Sequence, residues 1–404
     1  MTNGEMTYTQ SFFIEEDLEV IHVEPLSPEL QVPADYIPEV LPNTGEVIQV
    51  TVDKEHAYPI LDELLRAYAN NEAPYNLDRV RLPHDPRHMP ETLEYGSRDH
   101  AMFLFNVCYY MRGGIKSNDA VKRMSAVYDD HPALFDPEYV RGLSMSEDME
   151  GILNQEIQGV LKAHGLGFQA TVAGQWIENS WRMKEYEDDP RNIFNGVTTY
   201  EQSQELIQNK KNKGFIGFQE KMTSMIIYYL MDEDLIEPFN FPIPVDLHVM
   251  RVSIANEMVG FSDSEGNPLP YGTNLFTKET LAALRGLYLD YAEERNVNPL
   301  RLCDAVWMLS ESSCGRHPGN TTIEPLGRKI RNGRKTYLIP KLVDVENPGQ
   351  QKAYAESCAI CPVQDTCEFN IPGTQYYVGG NIIIRGRRVR FPISDVVAPI
   401  EPLF

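Results

Sequence analysis

The sequence predicts a mainly α-helical protein with an irregular N-terminal extension and a short β-like C-terminal tail. Apolar residues recur at helical spacing in one segment after another between residues 97 and 313. The first fifty residues are acidic and contain five prolines, without sustained helical periodicity. Near the C-terminus, a cluster of cysteines is followed by alternation in NIIIRGRRVRF. These patterns predict an acidic extension with one helix (1–96), a helical domain (97–313), a cysteine-containing loop with a basic insertion (314–369) and a tail (370–404).

Helix boundaries are predicted from capping residues as well as from apolar spacing. Ser144 and Glu147 have the spacing of a capping box, and Thr277 supplies an N-cap to the helix that follows it. Pro244 and Asp246 are predicted in the first turn of their helix, where a missing N–H and a negative charge are both tolerated. The predicted helices are His56–Tyr68, Arg98–Met111, Ser117–Tyr128, Ser144–Ala163, Gly174–Glu185, Tyr200–Asn209, Glu220–Met231, Val245–Met258, Lys278–Arg295 and Pro299–Ser313.

Composition limits the class of protein. Hydrophobic residues make up 42% of the chain, which is enough for a core. No apolar run approaches the roughly 18 residues that a membrane span needs, so we expect no membrane partner. The first residues lack the basic and apolar regions of a secretion signal. We therefore expect a cytoplasmic or nucleoid-associated protein, in the host cytoplasm if a phage encodes it, and no protein partner is evident.

Charge is distributed unevenly along the chain. The net charge of −23 disfavours tight binding to nucleic acid, because phosphates attract Lys and Arg. Between residues 1 and 64 there are fourteen acidic residues and one basic residue, whereas between 316 and 390 twelve basic residues outnumber six acidic ones. A polyanion is therefore expected to meet the C-terminal third of the chain.

Three of the six cysteines form a C-x2-C-x5-C pattern; they are Cys358, Cys361 and Cys367. In a reducing compartment this pattern indicates a metal site rather than disulfides. A fourth thiolate could come from Cys314 or Cys303. Cys314 is favoured, because it ends a helix and precedes Gly315, whereas Cys303 and Cys108 are interpreted as small buried hydrophobic residues. Four thiolates suit zinc as well as iron, and thiols without metal are the remaining alternative.

Two further segments carry a more specific signal. Residues 215–221 read FIGFQEK, and residues 243–252 read IPVDLHVMRV. They resemble the hairpin (roughly L-P-G-V-G-x-K) and the aspartate segment (V-P-V-D-x-H-x-x-R-V) of the helix-hairpin-helix glycosylase superfamily, which includes endonuclease III and 8-oxoguanine glycosylase. Members of the endonuclease III type end in C-x6-C-x2-C-x5-C, and the last three cysteines here have that spacing. The resemblance covers roughly residues 98–369 and is that of a divergent member.

The resemblance implies a two-lobed helical glycosylase fold, DNA as the partner and a 4Fe–4S cluster, with zinc as the alternative metal. Its implied ligands are Cys314, Cys358, Cys361 and Cys367. Asp246 matches the carboxylate that stabilises positive charge at C1′ or activates a nucleophile. Lys221 matches the lysine that attacks C1′ in bifunctional members. The alternatives are that Asp246 only caps its helix and that Lys221 only contacts a phosphate.

The departures from the family pattern concern DNA contacts. At the hairpin, where Gly217 and Gln219 are expected to approach a phosphate, Gln219 replaces the second glycine. Between Cys314 and Cys358 there are 43 residues, where the family usually has six. This insertion carries five basic residues that are predicted to contact DNA, with a solvated loop as the alternative; they are Arg328, Lys329, Arg331, Arg334 and Lys335.

Three functions are compatible with these features. The leading interpretation is a DNA N-glycosylase, with or without lyase activity, that acts on a flipped-out modified or damaged base. The alternative enzyme is a transferase of phage thymine hypermodification, in which an amino acid displaces pyrophosphate from a modified thymine on the same fold. The third interpretation is a DNA-binding module without catalysis, which the presence of both Lys221 and Asp246 disfavours.

Overall fold

The computed structural model describes the part of the chain between residues 48 and 391, with gaps. Side chains and backbone are described for 48–111, 115–208, 214–267, 269, 275–314 and 348–367, except the side chains of 350 and 351. Only the backbone is described for 327–332, 335–340, 343–344, 376–377, 380–384 and 387–391.

Within these residues the chain forms twelve α-helices. They are α1 (Lys54–Ala69), α2 (Arg98–Val107), α3 (Ser117–Asp130), α4 (Pro137–Leu143), α5 (Glu147–Ala163), α6 (Gln169–Met183), α7 (Tyr200–Ile207), α8 (Glu220–Asp232), α9 (Leu247–Ala255), α10 (Lys278–Glu294), α11 (Pro299–Ser312) and α12 (Pro348–Ala355). The prediction of a mainly helical protein is confirmed.

The ten predicted helices are all present, and their ends differ from prediction for local reasons. Helix α5 begins at Glu147 because Ser146, rather than Ser144, is the N-cap and accepts a hydrogen bond from the backbone of Met149. Helix α9 begins at Leu247, because Asp246 has an extended backbone and caps the helix from outside. Helices α4 and α12 were not predicted; both are short, with seven and eight residues.

The described strands form four two-stranded antiparallel sheets. The strands are β1 (Gln49–Val52), β2 (Val259–Ser262), β3 (Gly327–Asn332), β4 (Lys335–Pro340), β5 (Val343–Asp344), β6 (Tyr376–Tyr377), β7 (Gly380–Ile384) and β8 (Arg387–Phe391). The pairing of β1 with β2 joins the end of the predicted irregular extension to the helical domain. The predicted β-like tail forms the β7–β8 hairpin, and the basic insertion forms the β3–β4 hairpin.

Helix α2 lies at the centre of the core. Every residue from His100 to Val107 is buried, so this helix is surrounded by other elements on all sides. The Phe105 ring stacks on Phe218, with ring centroids 4.6 Å apart, and meets Phe215 edge to face at 5.1 Å. Both partners belong to the segment that precedes α8, and both are fully buried. The core therefore fixes the entry of α8, where the predicted hairpin lies.

Substitution of the stacked ring tests this packing. We expect Phe218→Ala to lower the free energy of unfolding by about 3 to 5 kcal/mol, because a buried aromatic side chain is replaced by a cavity. Urea denaturation measures the loss. Phe168→Ala is the matched control, because Phe168 is 52% exposed, and its effect should stay within about 1 kcal/mol. Equal effects of the two substitutions would contradict the central place of Phe218.

Candidate active site

Residues 214–219, which lead into α8, fold into a tight turn that depends on two glycines. Gly214 and Gly217 have φ angles of +75° and +86°, which side chains with a Cβ rarely adopt. A Cβ on Gly214 would lie 2.4 Å from the carbonyl oxygen of Gln208, so this position also requires the absence of a side chain. An isolated bridge pairs Gln208 with Phe215. The turn is therefore held closely against the end of α7.

Asn179 on α6 holds the same turn from the other side. Its Oδ1 accepts a hydrogen bond from the backbone N–H of Ile216 at 2.7 Å, and its Nδ2 donates to the carbonyl of Ile216 at 2.9 Å. The side chain is 1% exposed and also donates to the hydroxyl of Tyr109. Because a buried amide with all of these partners is costly to displace, Asn179 fixes the position of the turn.

Gln219 ends the turn and is the N-cap of α8. Its φ of −113° is an ordinary extended value, so a side chain at this position causes no backbone strain. Its side chain makes no capping hydrogen bond. The first N–H groups of α8 therefore have no side-chain cap from Gln219, which leaves them available to an anion.

Lys221, in the first turn of α8, is held between a carbonyl and a carboxylate. Its Nζ donates to the backbone carbonyl of Met111 at 2.6 Å and lies 3.7 Å from Oδ2 of Asp246. The Lys221 and Asp246 side chains are 29% and 21% exposed. The two predicted catalytic residues are therefore neighbours that remain accessible from solvent.

The two carboxylate oxygens of Asp246 make different interactions. Its Oδ1 accepts hydrogen bonds from the backbone N–H groups of His248 and Val249, which caps α9. Its Oδ2 faces Lys221. Asp246 therefore caps its helix, and the cap leaves the second oxygen directed toward the lysine; that Asp246 only caps the helix stays an alternative interpretation.

The charge state of Asp246 follows from these neighbours. Burial raises the pKa of its carboxyl, but Lys221, His248 and the backbone N–H groups of α9 together hold the pKa below its usual value. The carboxylate is consequently ionised at neutral pH. For His248, burial lowers the pKa more than the nearby Asp246 raises it, so its imidazole is neutral at that pH.

His248 and its neighbours form one wall beside Asp246. The His248 Nδ1 lies 3.1 Å from the hydroxyl of Ser310, and its ring centroid lies 5.7 Å from that of Trp307. Both partners come from α11. Trp176 is buried in the core and Trp181 is 41% exposed, so Trp307 is the tryptophan that lies beside the site.

Two residues that hold the candidate site in place, Met111 and Asn179, were not predicted from the sequence. Met111 contributes a backbone carbonyl, which no side-chain pattern can reveal. Asn179 lies in the apolar pattern of α6, where a buried polar residue in a helix was the available signal. Both act by holding the turn or Lys221 in place.

The four predicted cysteine ligands lie after the end of α11 and after α12. Burial raises the pKa of Cys314 to about 11, an effect that Arg251 opposes and Cys358 increases. Burial also raises the pKa of Cys361, and Cys314, Cys367 and Cys358 each raise it further. The pKa of Cys361 is thus affected by each of the other three thiols.

Cys303 lies elsewhere, in the helical core. Burial raises the pKa of its thiol, with Asp304 and Asp246 adding to the shift. Cys108 is also buried, as predicted. Across the described part of the chain, no group of three or more His, Cys, Asp or Glu side chains has an arrangement that would hold a metal ion.

The segment that carries Cys358, Cys361 and Cys367 (residues 356–367, called the cysteine segment) is attached to the helix that Asp246 caps. The hydroxyl of Thr366 donates to Oδ1 of Asn256, at the end of α9, at 2.8 Å. The Asn256 carbonyl lies 2.9 Å from Nε2 of His56 on α1. Elements from both ends of the described chain therefore meet at the C-terminal end of α9.

The basic insertion is described by its backbone only. Arg328, Lys329 and Arg331 lie in β3, Lys335 lies in β4, and Arg334 lies outside the described residues. Their contact with DNA stays a prediction. In the described residues, each helix is too short or too polar to cross a lipid bilayer.

No family model and no curated protein matches the sequence. Among solved structures, the chain is similar to the 8-oxoguanine DNA glycosylase of Methanocaldococcus jannaschii, with 13% identity and a TM-score of 0.37 over 64% of this chain and 96% of that chain. It is also similar to the 8-oxoguanine glycosylase/lyase of the same organism in complex with a 15mer DNA containing 8-oxoguanine. That match has 11% identity and a TM-score of 0.36 over 62% of this chain and 96% of that chain.

Removal of the Lys221 charge tests the electrostatics of this pair. In Lys221→Gln the pKa of Asp246 should rise, because the largest influence that lowers it is lost while burial continues to raise it. A carboxyl with a lowered pKa stabilises the fold above its unfolded pKa, and this contribution disappears as the pH falls through the folded pKa. The variant should therefore show less loss of stability between neutral and acidic pH. Titration of the Asp246 carboxyl carbon by NMR measures the shift.

Lys162→Gln is the control, because Lys162 lies on the exposed last turn of α5. It should leave the titration of Asp246 unchanged. An unaltered Asp246 pKa in Lys221→Gln would show that the two groups do not interact.

Proposed function

We propose that this protein is a DNA N-glycosylase with lyase activity, which acts on a modified or damaged base. The observation that carries the proposal is the distance of 3.7 Å between the Lys221 Nζ and the Asp246 Oδ2, at the first turns of two neighbouring helices. A primary amine beside an ionised carboxylate supplies a nucleophile and a stabiliser for positive charge in one place. Both groups are partly exposed, so a sugar can approach them.

The reaction follows from these two groups. The Lys221 ammonium first releases one proton to solvent. The lone pair of the resulting amine attacks C1′ as the bond from C1′ to the base breaks; the bonding electrons leave with the base, and a second proton passes from the nitrogen to the base. The nitrogen lone pair then forms the C1′–N double bond of a Schiff base while the bond from C1′ to O4′ breaks, and O4′ takes up a proton from solvent. The ionised Asp246 carboxylate stabilises the positive charge that develops on the sugar as the base departs.

The turn before α8 supports the binding of a DNA strand in this place. Gly217 presents backbone without a side chain, and the first N–H groups of α8 receive no side-chain cap from Gln219. Backbone N–H groups at a helix start bind phosphate oxygens. Because Asn179 holds the turn, a phosphate bound there would have a fixed relation to Lys221.

The cysteines complete the proposal with a 4Fe–4S cluster. The chemistry of the donor set supports such a group, because four thiolates bind a 4Fe–4S cluster and Cys358, Cys361 and Cys367 have the C-x2-C-x5-C spacing, although the described side chains are not arranged to hold a metal ion. Cys314, Cys358, Cys361 and Cys367 would hold the cluster, with zinc as the alternative metal. When bound, the metal centre would crosslink the cysteine segment to the helical domain.

Trapping experiments test the catalytic pair. With a duplex that bears a single lesion, borohydride should trap a covalent adduct in the parent protein, and Lys221→Gln should abolish it. Asp246→Asn should lower the single-turnover rate about 10²- to 10³-fold while it leaves DNA binding in place, because the loss is in transition-state stabilisation. Lys162→Gln should behave like the parent.

Two other outcomes would decide against the lyase. If no lesion gives an adduct while Asp246→Asn still abolishes modification of phage DNA that carries an activated thymine, the site is that of the amino-acid transferase. If Asp246→Asn is as active as the parent in every assay, Asp246 has no catalytic role, and both enzyme proposals at this site are overturned.

Metal analysis tests the cysteine assignment. Protein purified without oxygen should contain about four irons per chain and absorb broadly in the visible range. Cys314→Ala should lose the metal, whereas Cys303→Ala should retain it because that thiol lies in the helical core. One zinc and no iron would show a mononuclear site. Metal loss in Cys303→Ala alone would mean that the fourth ligand is wrongly assigned.

A further inference from the structure

We propose that a second basic surface, separate from the predicted insertion, binds the phosphates of the duplex engaged at the candidate active site. This loop–α3 surface is formed by Arg79, Arg81, Arg87 and Lys122, which line one open depression of about 370 Å³. The inference rests on the proposed function for the identity of the nucleic acid. None of these residues belongs to the motifs that the sequence singled out.

The surface combines two elements that are distant in sequence. Three of its arginines lie in the loop between α1 and α2, and Lys122 lies on α3. Asn118 stands four residues before Lys122 on the same helical face and lines the same depression. The Asn118 Oδ1 is buried and has no hydrogen-bond partner among the described residues. Its side-chain oxygen therefore has no partner within the part of the chain that the structure describes.

The surface remains positive after its internal ion pairs are counted. Arg81 pairs with Asp78 at 3.2 Å, and Arg87 pairs with Asp85 at 2.8 Å. Arg79 donates instead to the carbonyl of Glu356, a neutral group, at 2.8 Å. Four cations and two carboxylates leave a net charge of about +2, on a chain whose total is −23. A concentration of positive charge on so acidic a protein favours a polyanion as its ligand.

The surface is joined to the cysteine segment by one hydrogen bond and lies near Met111 along the chain. The bond from Arg79 to Glu356 connects it to the cysteine segment, two residues before Cys358. Met111, whose carbonyl holds Lys221, precedes Asn118 by seven residues. Seven residues span at most about 25 Å, which corresponds to about seven base pairs of B-form DNA. One duplex can therefore reach Lys221 and this surface together.

The geometry favours a nucleic-acid backbone over a small anion. The depression is open, and Arg87 is 63% exposed, as a surface that follows a polymer requires. Arginine guanidinium groups match phosphate oxygens in pairs. Such contacts position a duplex without reading its sequence.

Arg87 and Lys122 are the residues to substitute. Arg79 and Arg81 also bind backbone carbonyls, so their loss would disturb the loop. The test variant is the full chain with Arg87→Gln and Lys122→Gln. The matched control carries Lys54→Gln and Arg295→Gln, which removes the same charge at the N-terminal end of α1, where both cations lie over Tyr58. Helix α1 is about 24 Å long and separates these residues from the loop.

Binding of an undamaged duplex is measured by fluorescence anisotropy over a range of salt concentrations. We expect the test variant to bind severalfold more weakly at low salt, with a slope of log affinity against log salt that is shallower by about 2. The control should retain the affinity and slope of the parent. If the test variant matches the parent, or if the control loses as much as the test variant, the proposal is overturned.

The assay separates this proposal from the proposed function. Binding of undamaged duplex requires no chemistry, so a loss in the test variant supports the surface even if no lesion is ever processed. Conversely, normal duplex binding by the test variant together with normal adduct trapping would overturn the surface and leave the glycosylase proposal standing.

Discussion

Phe218 stacks on Phe105 at the centre of the helical core, and the consequences of that contact extend to the pair formed by Lys221 and Asp246. Helix α2 is buried on all sides, so the ring of Phe105 cannot move without disturbing several elements. Phe218 lies three residues before Lys221, and Met111 lies just beyond the C-terminal end of α2. The same packing therefore fixes both the start of α8 and the carbonyl to which the Lys221 ammonium donates.

A second constraint acts on the carboxylate. Asp246 caps α9 with one oxygen, so the direction of its other oxygen depends on where α9 begins. The opposite end of α9 is held by Asn256, whose side chain binds Thr366 of the cysteine segment and whose carbonyl lies beside His56. A metal at the cysteines would act on the active site through this helix, since it would restrain the segment to which α9 is attached.

The far end of α8 is fixed by a buried polar network. Asp304 on α11 is fully buried and accepts hydrogen bonds from the hydroxyls of Tyr228 and Tyr68 and from Arg301. Burial raises the pKa of Asp304, although these partners oppose the shift. Such a network stabilises the fold only when its members are all satisfied. It orients α8 from the end opposite Lys221, so both ends of the lysine-bearing helix are specified.

The sequence by itself determined the elements and the chemical candidates. Apolar periodicity and caps located the ten long helices between residues 54 and 312, because local propensity and burial of one face agree there. The hairpin and the motif around Asp246 identified two residues that the structure does bring together, Lys221 and Asp246, whereas the four-cysteine ligand set stays a prediction. Short elements such as α4 were not predicted, because seven residues give too little apolar periodicity to recognise a helix.

Only the tertiary structure decided which contacts hold Lys221 and the turn before α8 in place, and which cations lie together on the loop–α3 surface. The Met111 carbonyl, the clamp by Asn179 and the pairing of β1 with β2 are contacts between residues 37 to more than 200 positions apart, and no local pattern encodes such contacts. The same holds for the loop–α3 surface, whose cations are distant in sequence and line one depression only because α3 and the loop after α1 meet. Spacing along the chain reveals chemistry that lies within one element, whereas proximity between elements is set by the packing of the whole core.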